Sequence, residues 1–315
     1  MLSTKEANYI FLAFFLAYGI KIPVFPLHTW QANTYEKSPT IGTMLLSGIM
    51  LKMGIYSILR WQMPIAGNVS ENILKTVIVL CIVGIIYASL IAIKQDDLKR
   101  LVAYSSIAHI GLMCMAIFSN TKMGMQGVMI QMFNHGINII GLWILIEIIE
   151  KRYGTRKMSE LGGLAQKAPT LVIFFVIIAF ANIALPLTNA FIGEFMMFGG
   201  VFESKVYDGS YTMLGVLKMN ASNLAFIYTM FAGIGIILAA IYTLNMVRKV
   251  FFGNNIIVAT AEAAGDLRLV EKIALGIIVI LIFWLGIYPQ PMLDLTNNVS
   301  DLIIERAKLL PVINK

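Results

Sequence analysis

Five residues of types that bind and release protons lie inside apolar stretches. They are Lys21 in "YGIKIPVFPLHTW", Lys52 in "GTMLLSGIMLKMGIYSILRW", His109 in "LVAYSSIAHIGLMCM", His135 in "GVMIQMFNHGINIIGLW" and Glu194 in "FIGEFMMFGG". A charged lysine at the centre of a bilayer costs ~2.5–3.5 kcal/mol even on the lenient insertion scale, so each needs a compensating role. A row of Lys, His and Glu at membrane depth is what a proton relay requires. Two charges ~7 Å apart interact by ~2.4 kcal/mol at an effective dielectric of ~20, so charging one site pushes a proton off the next.

The neighbours of these groups are polar at helical spacing. Lys52 shares a stripe with Gly48 and Tyr56, and His109 is one turn from Ser105. His135 belongs to a stripe of Gly127, Gln131, Asn134, Asn138 and Gly141, the face of a helix lining something polar. Blander roles compete: a lysine near a span end can snorkel to the headgroups, and a histidine can be a neutral packing residue. Glu147, close to Glu150, Lys151 and Arg152, reads as a solvated charge at a helix end. Glu194 lies about nine residues past the middle of its apolar run, ~13 Å along a helix, which places it at the mouth of a path rather than its centre.

The elements that must hold these groups are membrane helices. Of the 315 residues 58% are hydrophobic and 13% charged, with a mean hydropathy of +0.80, against ~25% charged in soluble domains. Eight stretches are long and apolar enough to span, at roughly 8–27, 41–60, 73–93, 101–118, 126–149, 170–200, 221–247 and 273–290. No alternating pattern suggests a β-barrel, so the expected fold is an all-α polytopic bundle of about eight spans. Two spans should be discontinuous. The run Thr170–Gly200 has 31 residues and would make a straight helix ~46 Å long, too long for the bilayer, and Pro186 interrupts it. Asn182, Thr188 and Asn189 can satisfy the backbone groups that the break frees. Pro23 and Pro26 interrupt the first span in the same way. Two interrupted helices in corresponding positions point to an inverted-repeat transporter with its ion site at the breaks. Residues 1–60 then end a first repeat, 61–250 form a second of five helices, and 251–315 add a loop, a last span and a tail. The chain reads as the C-terminal part of something longer.

Other classes find no support. The net charge of +7 is spread over loops rather than gathered in a patch, so no nucleic-acid partner is expected. Lys and Arg are richer in the loops after spans one, three, five and seven, which puts that side in the cytoplasm and both termini outside. Cys81 and Cys114 lie in apolar spans without ligand spacing, no metal site is expected, and neither a dinucleotide fingerprint nor a P-loop is present. "MLSTKEANYIF" lacks the features of a signal peptide, so the first span is expected in the mature protein. In the tail, Val299, Leu302, Ile303 and Leu310 recur at helical spacing while Asp301, Glu305 and Lys308 point elsewhere, which predicts an amphipathic surface helix.

"KIPVFPLHTW", "GIMLKMGIYSILRW", "KQDDLKRLVAYSSIAHIGLM", "NHGINIIGLW", "FIGEFMMFG" and "GIYPQPMLD" resemble, in order and spacing, the C-terminal part of the antiporter-like membrane subunits of bacterial NADH-quinone oxidoreductase, respiratory complex I, the family of its chain M and of mitochondrial subunit 4. The resemblance implies that these spans are helices seven to fourteen of about fourteen. It also implies that Lys21, Lys52, His109, His135 and Glu194 form a proton relay coupled to NADH oxidation by quinone elsewhere in the complex. NAD, FMN, iron–sulfur clusters and quinone would then belong to partner subunits, with no cofactor in this chain. Its partners would be the lipid bilayer and the other membrane subunits, neighbouring antiporter-like ones included, in the bacterial inner membrane. The family's glutamate on an earlier helix is absent here, and "HTWQANTY" has Ala32-Asn33 where the family commonly has Pro-Asp. A subunit of a multisubunit sodium/proton antiporter is the alternative, disfavoured by "YPQP" near residue 289.

Overall fold

The computed structural model describes residues 3–205, 211–213, 217–219, 221–252 and 265–308. The chain opens with α1 (Thr4–Lys21), capped by Ser3, whose backbone N–H donates to the Glu6 carboxylate at 2.8 Å. The short α2 (Thr29–Lys37) follows across non-helical backbone. Thr40–Ala66 is one helix of 27 residues made of α3 (Thr40–Leu45), α4 (Leu51–Ser57) and α5 (Met63–Ala66), joined by π turns at Leu46–Met50 and Ile58–Gln62. Then come α6 (Glu71–Lys94), α7 (Leu98–Phe118), α8 (Lys122–Tyr153) and the single turn α9 (Leu164–Lys167). The half-helices α10 (Pro169–Asn182) and α11 (Asn189–Phe202) precede α12 (Ala221–Phe251), α13 (Leu269–Ile287) and α14 (Gln290–Lys308). Strands β1 (Tyr211–Met213) and β2 (Leu217–Met219) pair antiparallel between α11 and α12, a departure from the all-helical expectation confined to a hairpin.

Local chemistry sets the ends. Asp97 caps α7 by accepting the Arg100 N–H at 3.0 Å, and Thr121 caps α8 by accepting that of Gly124 at 3.2 Å. Gly154 stops α8 in a left-handed conformation at φ 69°. Pro169 opens α10, and the Asp266 carboxylate receives the free N–H groups of Thr170 and Leu171 at 2.9 and 3.1 Å. Burial works to raise the Asp266 pKa, but the hydrogen bonds from Thr170, Leu267 and Leu171 outweigh it and hold it below the ordinary value.

Among the described residues six helices are long and apolar enough to cross a membrane, and α1 and the α10–α11 pair lie where the other two spans were expected. The chain is a polytopic, membrane-embedded protein. At the centre stands α7, whose residues from Leu101 on are buried apart from Tyr104, with α6 and α8 packed along it. By contrast, α12 and α13 turn wide apolar faces outward, including Ile237, Ile280 and Trp284. With 32 residues α8 is ~48 Å long against a hydrocarbon core of ~30 Å, so its ends project.

Both expected breaks are present, at residues 22–28 and 183–188. In the first, the Trp30 indole N–H donates to the Ile20 carbonyl at 2.9 Å, replacing a helical partner beside Pro23 and Pro26. In the second, Ala184 and Leu187 take positive φ values of 57° and 75° on either side of Pro186. The freed groups find two of the three expected partners, Asn189 Oδ1 accepting the Ala190 N–H at 2.9 Å, together with two others. Thr188 Oγ1 does donate to the Leu185 carbonyl at 2.6 Å, but Asn182 turns away to the Ser105 hydroxyl at 3.2 Å. Asn138 and Asn134 of α8 supply the donors instead, to the carbonyls of Ala181 at 3.1 Å and Asn189 at 2.7 Å. The polar stripe of α8 therefore clasps the broken helix, which a single-helix reading of its periodicity could not show.

The tail forms the expected amphipathic helix, with a buried face that keeps Ile303 of the expected stripe but not Val299 or Leu302. Ser300, Ile303 and Ile304 are buried, whereas Val299 and Leu302 are exposed, because α14 packs across the start of α8 and against α5. Leu310 and the Lys308 side chain lie outside the described residues. Asp301 pairs with Lys122 at 2.7 Å where both side chains are about half exposed. Exposed pairs of this kind contribute ~0–1 kcal/mol. Asp301→Asn should therefore leave the melting temperature in detergent within a degree or two, ~1 kcal/mol or less; a loss of assembly would show that the tail is held by this bond.

Candidate functional site

The buried titratable groups meet where α7, α8 and α11 converge. His109 Nδ1 lies 3.0 Å from Glu194 Oε1, both side chains being 8% exposed, and the Gln131 amide donates to the same oxygen at 3.4 Å. The imidazoles of His109 and His135 stack edge to face at 5.4 Å between centroids. Both ring nitrogens of His135 are buried without a hydrogen-bond partner among the described residues, as is His109 Nε2. Unpartnered buried nitrogens are rare in folded proteins and suit groups that take up and pass on a proton. On the far side of His109, Ser105 Oγ receives the Tyr242 hydroxyl at 2.9 Å and the Asn182 amide at 3.2 Å. A cavity of about 30 Å³ between His109, Glu194 and Tyr242 has room for about one water molecule.

Close packing makes this convergence possible. A Cβ on Gly127 would come 2.8 Å from Met197 N, and one on Gly200 would come 2.5 Å from Gly124 Cα. With glycine at these positions, the backbones of α8 and α11 touch, as small residues permit in membranes. Glu194 is thus brought to mid-helix His109. The straight-rise estimate that placed it at a path mouth fails because residues 183–188 do not climb like a helix.

Lys52 is buried on the other side of α8 and donates to the Ser47 carbonyl, which a π turn leaves without its usual helical partner. It faces a cavity of about 470 Å³ lined also by Gly48, Tyr56, Met132, Phe133 and Gly136. The stripe of Gly48, Lys52 and Tyr56 is therefore real, and the residue after His135 borders the same cavity. Lys21 is the outlier. It is half-buried in the last turn of α1 and has no hydrogen bond or ion pair among the described residues.

A separate ionic corner ties the loops at the α7 N-terminus. Arg156 reaches Asp97, Glu150 at 3.0 Å and Glu36 at 3.7 Å; Arg100 reaches Glu36 at 2.7 Å and Asn33 at 3.1 Å; Lys99 reaches Glu150 at 3.0 Å. Burial opposes the charge on Arg156, but Asp97 and Glu150 outweigh it and raise its pKa. Glu147 is held by Thr40 and by Lys151 at 2.7 Å, so it is a paired charge rather than a freely solvated one. Tyr242, Trp143 and the hydroxyls of Thr40, Thr43 and Ser47 escaped the sequence reading. The last three were legible as a three-and-four spacing on one helix face.

A helical membrane bundle with two broken helices and buried Lys, His and Glu side chains has the features of an antiporter-like membrane module. The family model described as NADH:quinone oxidoreductase/Mrp antiporter, TM matches residues 1–219, and the chain belongs to that family. The NADH-quinone oxidoreductase subunit M of Rickettsia prowazekii (strain Madrid E) is 37% identical over 294 residues, covering 93% of this chain and 56% of that protein. The subunit of the same name from Escherichia coli (strain K12) is 32% identical over 292 residues, 92% of this chain and 53% of that protein. The chain thus spans about half the length of the curated relatives it matches. Among solved structures, a chain of respiratory complex I from Thermus thermophilus with bound NADH superposes with a TM-score of 0.83 at 25% identity, over 99% of this chain and 61% of that one. A chain of the Mrp complex from Dietzia sp. DQ12-45-1b superposes at 0.79 with 19% identity, over 97% and 62%, a likeness of fold.

Proposed function

We propose that the chain is a proton-translocating membrane subunit of an NADH:quinone oxidoreductase, working without a redox site of its own and relaying protons along Glu194, His109, His135 and Lys52. The observation that carries this reading is the buried His109–Glu194 pair with the unpartnered His135 ring stacked on it. A carboxylate and two imidazoles in contact offer three successive sites that can each take up and release a proton. The electron carriers, NAD, FMN, iron–sulfur clusters and quinone, would sit in partner subunits. Neighbouring antiporter-like subunits would flank this chain in the bacterial inner membrane. The charge bias of the loops supports an outward placement of both termini. The order broken helix then long helix occurs twice, as α1 to α2 followed by Thr40–Ala66 and as α10 to α11 followed by α12, which supports residues 1–60 and 61–250 as parts of two repeats. Lys21 would enter the relay through its place at the first break. The sodium/proton antiporter alternative rests on fold likeness at 19% identity, against curated oxidoreductase relatives at 32–37%.

Glu194→Gln in native membranes tests the reading, because the amide keeps the shape and cannot ionise. NADH-driven proton uptake per assembled complex should fall by about tenfold or more, while electron flow from NADH to a soluble acceptor stays unchanged. Normal uptake would remove Glu194 from the relay.

A further inference from the structure

Thr40, Thr43 and Ser47 share one face of the helix that carries Lys52, and Trp143 and Glu147, four residues apart on α8, meet that face. Lys52 Nζ donates to the Ser47 carbonyl. Ser47 Oγ receives the Trp143 indole N–H at 2.7 Å and donates to the Thr43 carbonyl at 2.7 Å. Thr43 Oγ1 points to the carbonyls of Pro39 and Tyr35, at 3.3 and 3.4 Å, and Thr40 Oγ1 donates to Glu147. Thr40, Thr43 and Ser47 are buried, while the Glu147 side chain keeps 28% of its surface and pairs with the exposed Lys151. A polar seam ~18 Å long thus runs from a surface carboxylate to the buried lysine.

Two further groups border it. Gln31 and Tyr35, four residues apart on α2, are wholly buried; the Tyr35 hydroxyl lies toward the Gln31 amide, and neither side chain has another hydrogen-bond partner among the described residues. The Tyr35 ring meets Trp143 edge to face at 5.9 Å. Buried polar atoms almost always have their bonding capacity filled by protein or water, so an under-satisfied amide and phenol beside a face of hydroxyls mark a place that takes in water.

We propose that this seam is a proton entry route to Lys52, with Glu147 as the acceptor at its mouth and the Trp143–Tyr35 contact as its narrow point. The route rests on the relay reading above and adds the path by which a proton reaches it. The Glu147 carboxylate takes a proton from bulk water. Water molecules held by the Thr40, Thr43 and Ser47 hydroxyls carry the charge inward, each oxygen receiving one proton and releasing another. The neutral Lys52 amine accepts the last of these to become an ammonium, and Glu147 is a carboxylate again. Lys21 is not on this route.

The test uses native membranes containing the assembled complex, with Glu147→Gln, Thr43→Val and Lys52→Ala made separately and the amount of complex measured in each. Thr43→Val keeps shape and volume while removing the hydroxyl. NADH-driven proton uptake per complex should fall by about tenfold in Glu147→Gln and in Thr43→Val, with a larger solvent deuterium isotope effect, and Glu147→Asp should restore most of the rate. A lower amount of complex with unchanged uptake per complex would make the seam structural and overturn the route. Full uptake in Glu147→Gln and Thr43→Val beside failed uptake in Lys52→Ala would overturn the route and leave the relay standing. Full uptake in all three would sink both.

Discussion

Lys52→Ala is expected to reduce NADH-driven proton uptake to a few per cent of the parent rate, with the complex still assembled and the reaction of NADH with a soluble acceptor intact. The amine is buried and bonded to the Ser47 carbonyl, so its charge has a polar partner but no counter-ion among the described residues. Such a group is costly at membrane depth, ~2.5–3.5 kcal/mol when charged, and alanine would relieve that cost while deleting the proton carrier. Packing alone cannot account for a loss of transport here, since the side chain faces a cavity of about 470 Å³ and its removal collapses little. Lys52→Arg should fail nearly as badly, because a guanidinium stays protonated and does not give up its proton. Uptake by everted membrane vesicles, normalised to complex content, reads both variants. A Lys52→Ala complex that pumps at the parent rate would end the relay reading.

The second large effect is on assembly. Gly200→Ala would place a methyl 2.5 Å from Gly124 Cα, where the neighbour is backbone and cannot turn aside. Overpacking of this kind costs ~1–3 kcal/mol, and more where a backbone must move. The nearby bond from Thr121 Oγ1 to the Gly200 carbonyl at 3.0 Å would be strained with it, and Glu194, a turn and a half along α11, would shift from His109. The ratio of folded to unfolded protein in the membrane should drop at least about fivefold, the equivalent of ~1 kcal/mol. Gly276→Ala is the matched control, since no atom lies within 4 Å of its added Cβ. Equal yields of the two variants would show that α8 and α11 can separate freely.

The breaks were legible because proline chemistry and helix length are local: Pro186 in a 31-residue run leaves no straight solution. The stripes around Lys52 and His135 were legible for the same reason, being periodicities within one helix. What a stripe faces was not. The Asn134–Asn138 face clasps the broken helix, and Glu194 meets His109, because backbone turns at Ala184 and Leu187 redirect α11. Proline says where a helix stops, whereas the direction of the next one follows from glycine contacts between segments some 75 residues apart. The buried side of α14 was only partly legible, since Ile303 of the expected stripe is buried with Ile304 while Val299 and Leu302 are exposed.

Position 33 is a tuning point for the ionic corner. Asn33 Oδ1 accepts from Arg100 as an aspartate oxygen would, while leaving that guanidinium to Glu36, which it shares with Arg156, and to the nearby Asp97. Exchanging amide for carboxylate there would alter the corner by one unit of charge without changing a single donor–acceptor pair. Evolution can thus adjust the strength of the tie between α2 and α7 in a single nucleotide step, since Asn and Asp codons differ by one base, and lineages holding the amide should tolerate high salt at this corner better than those holding the acid.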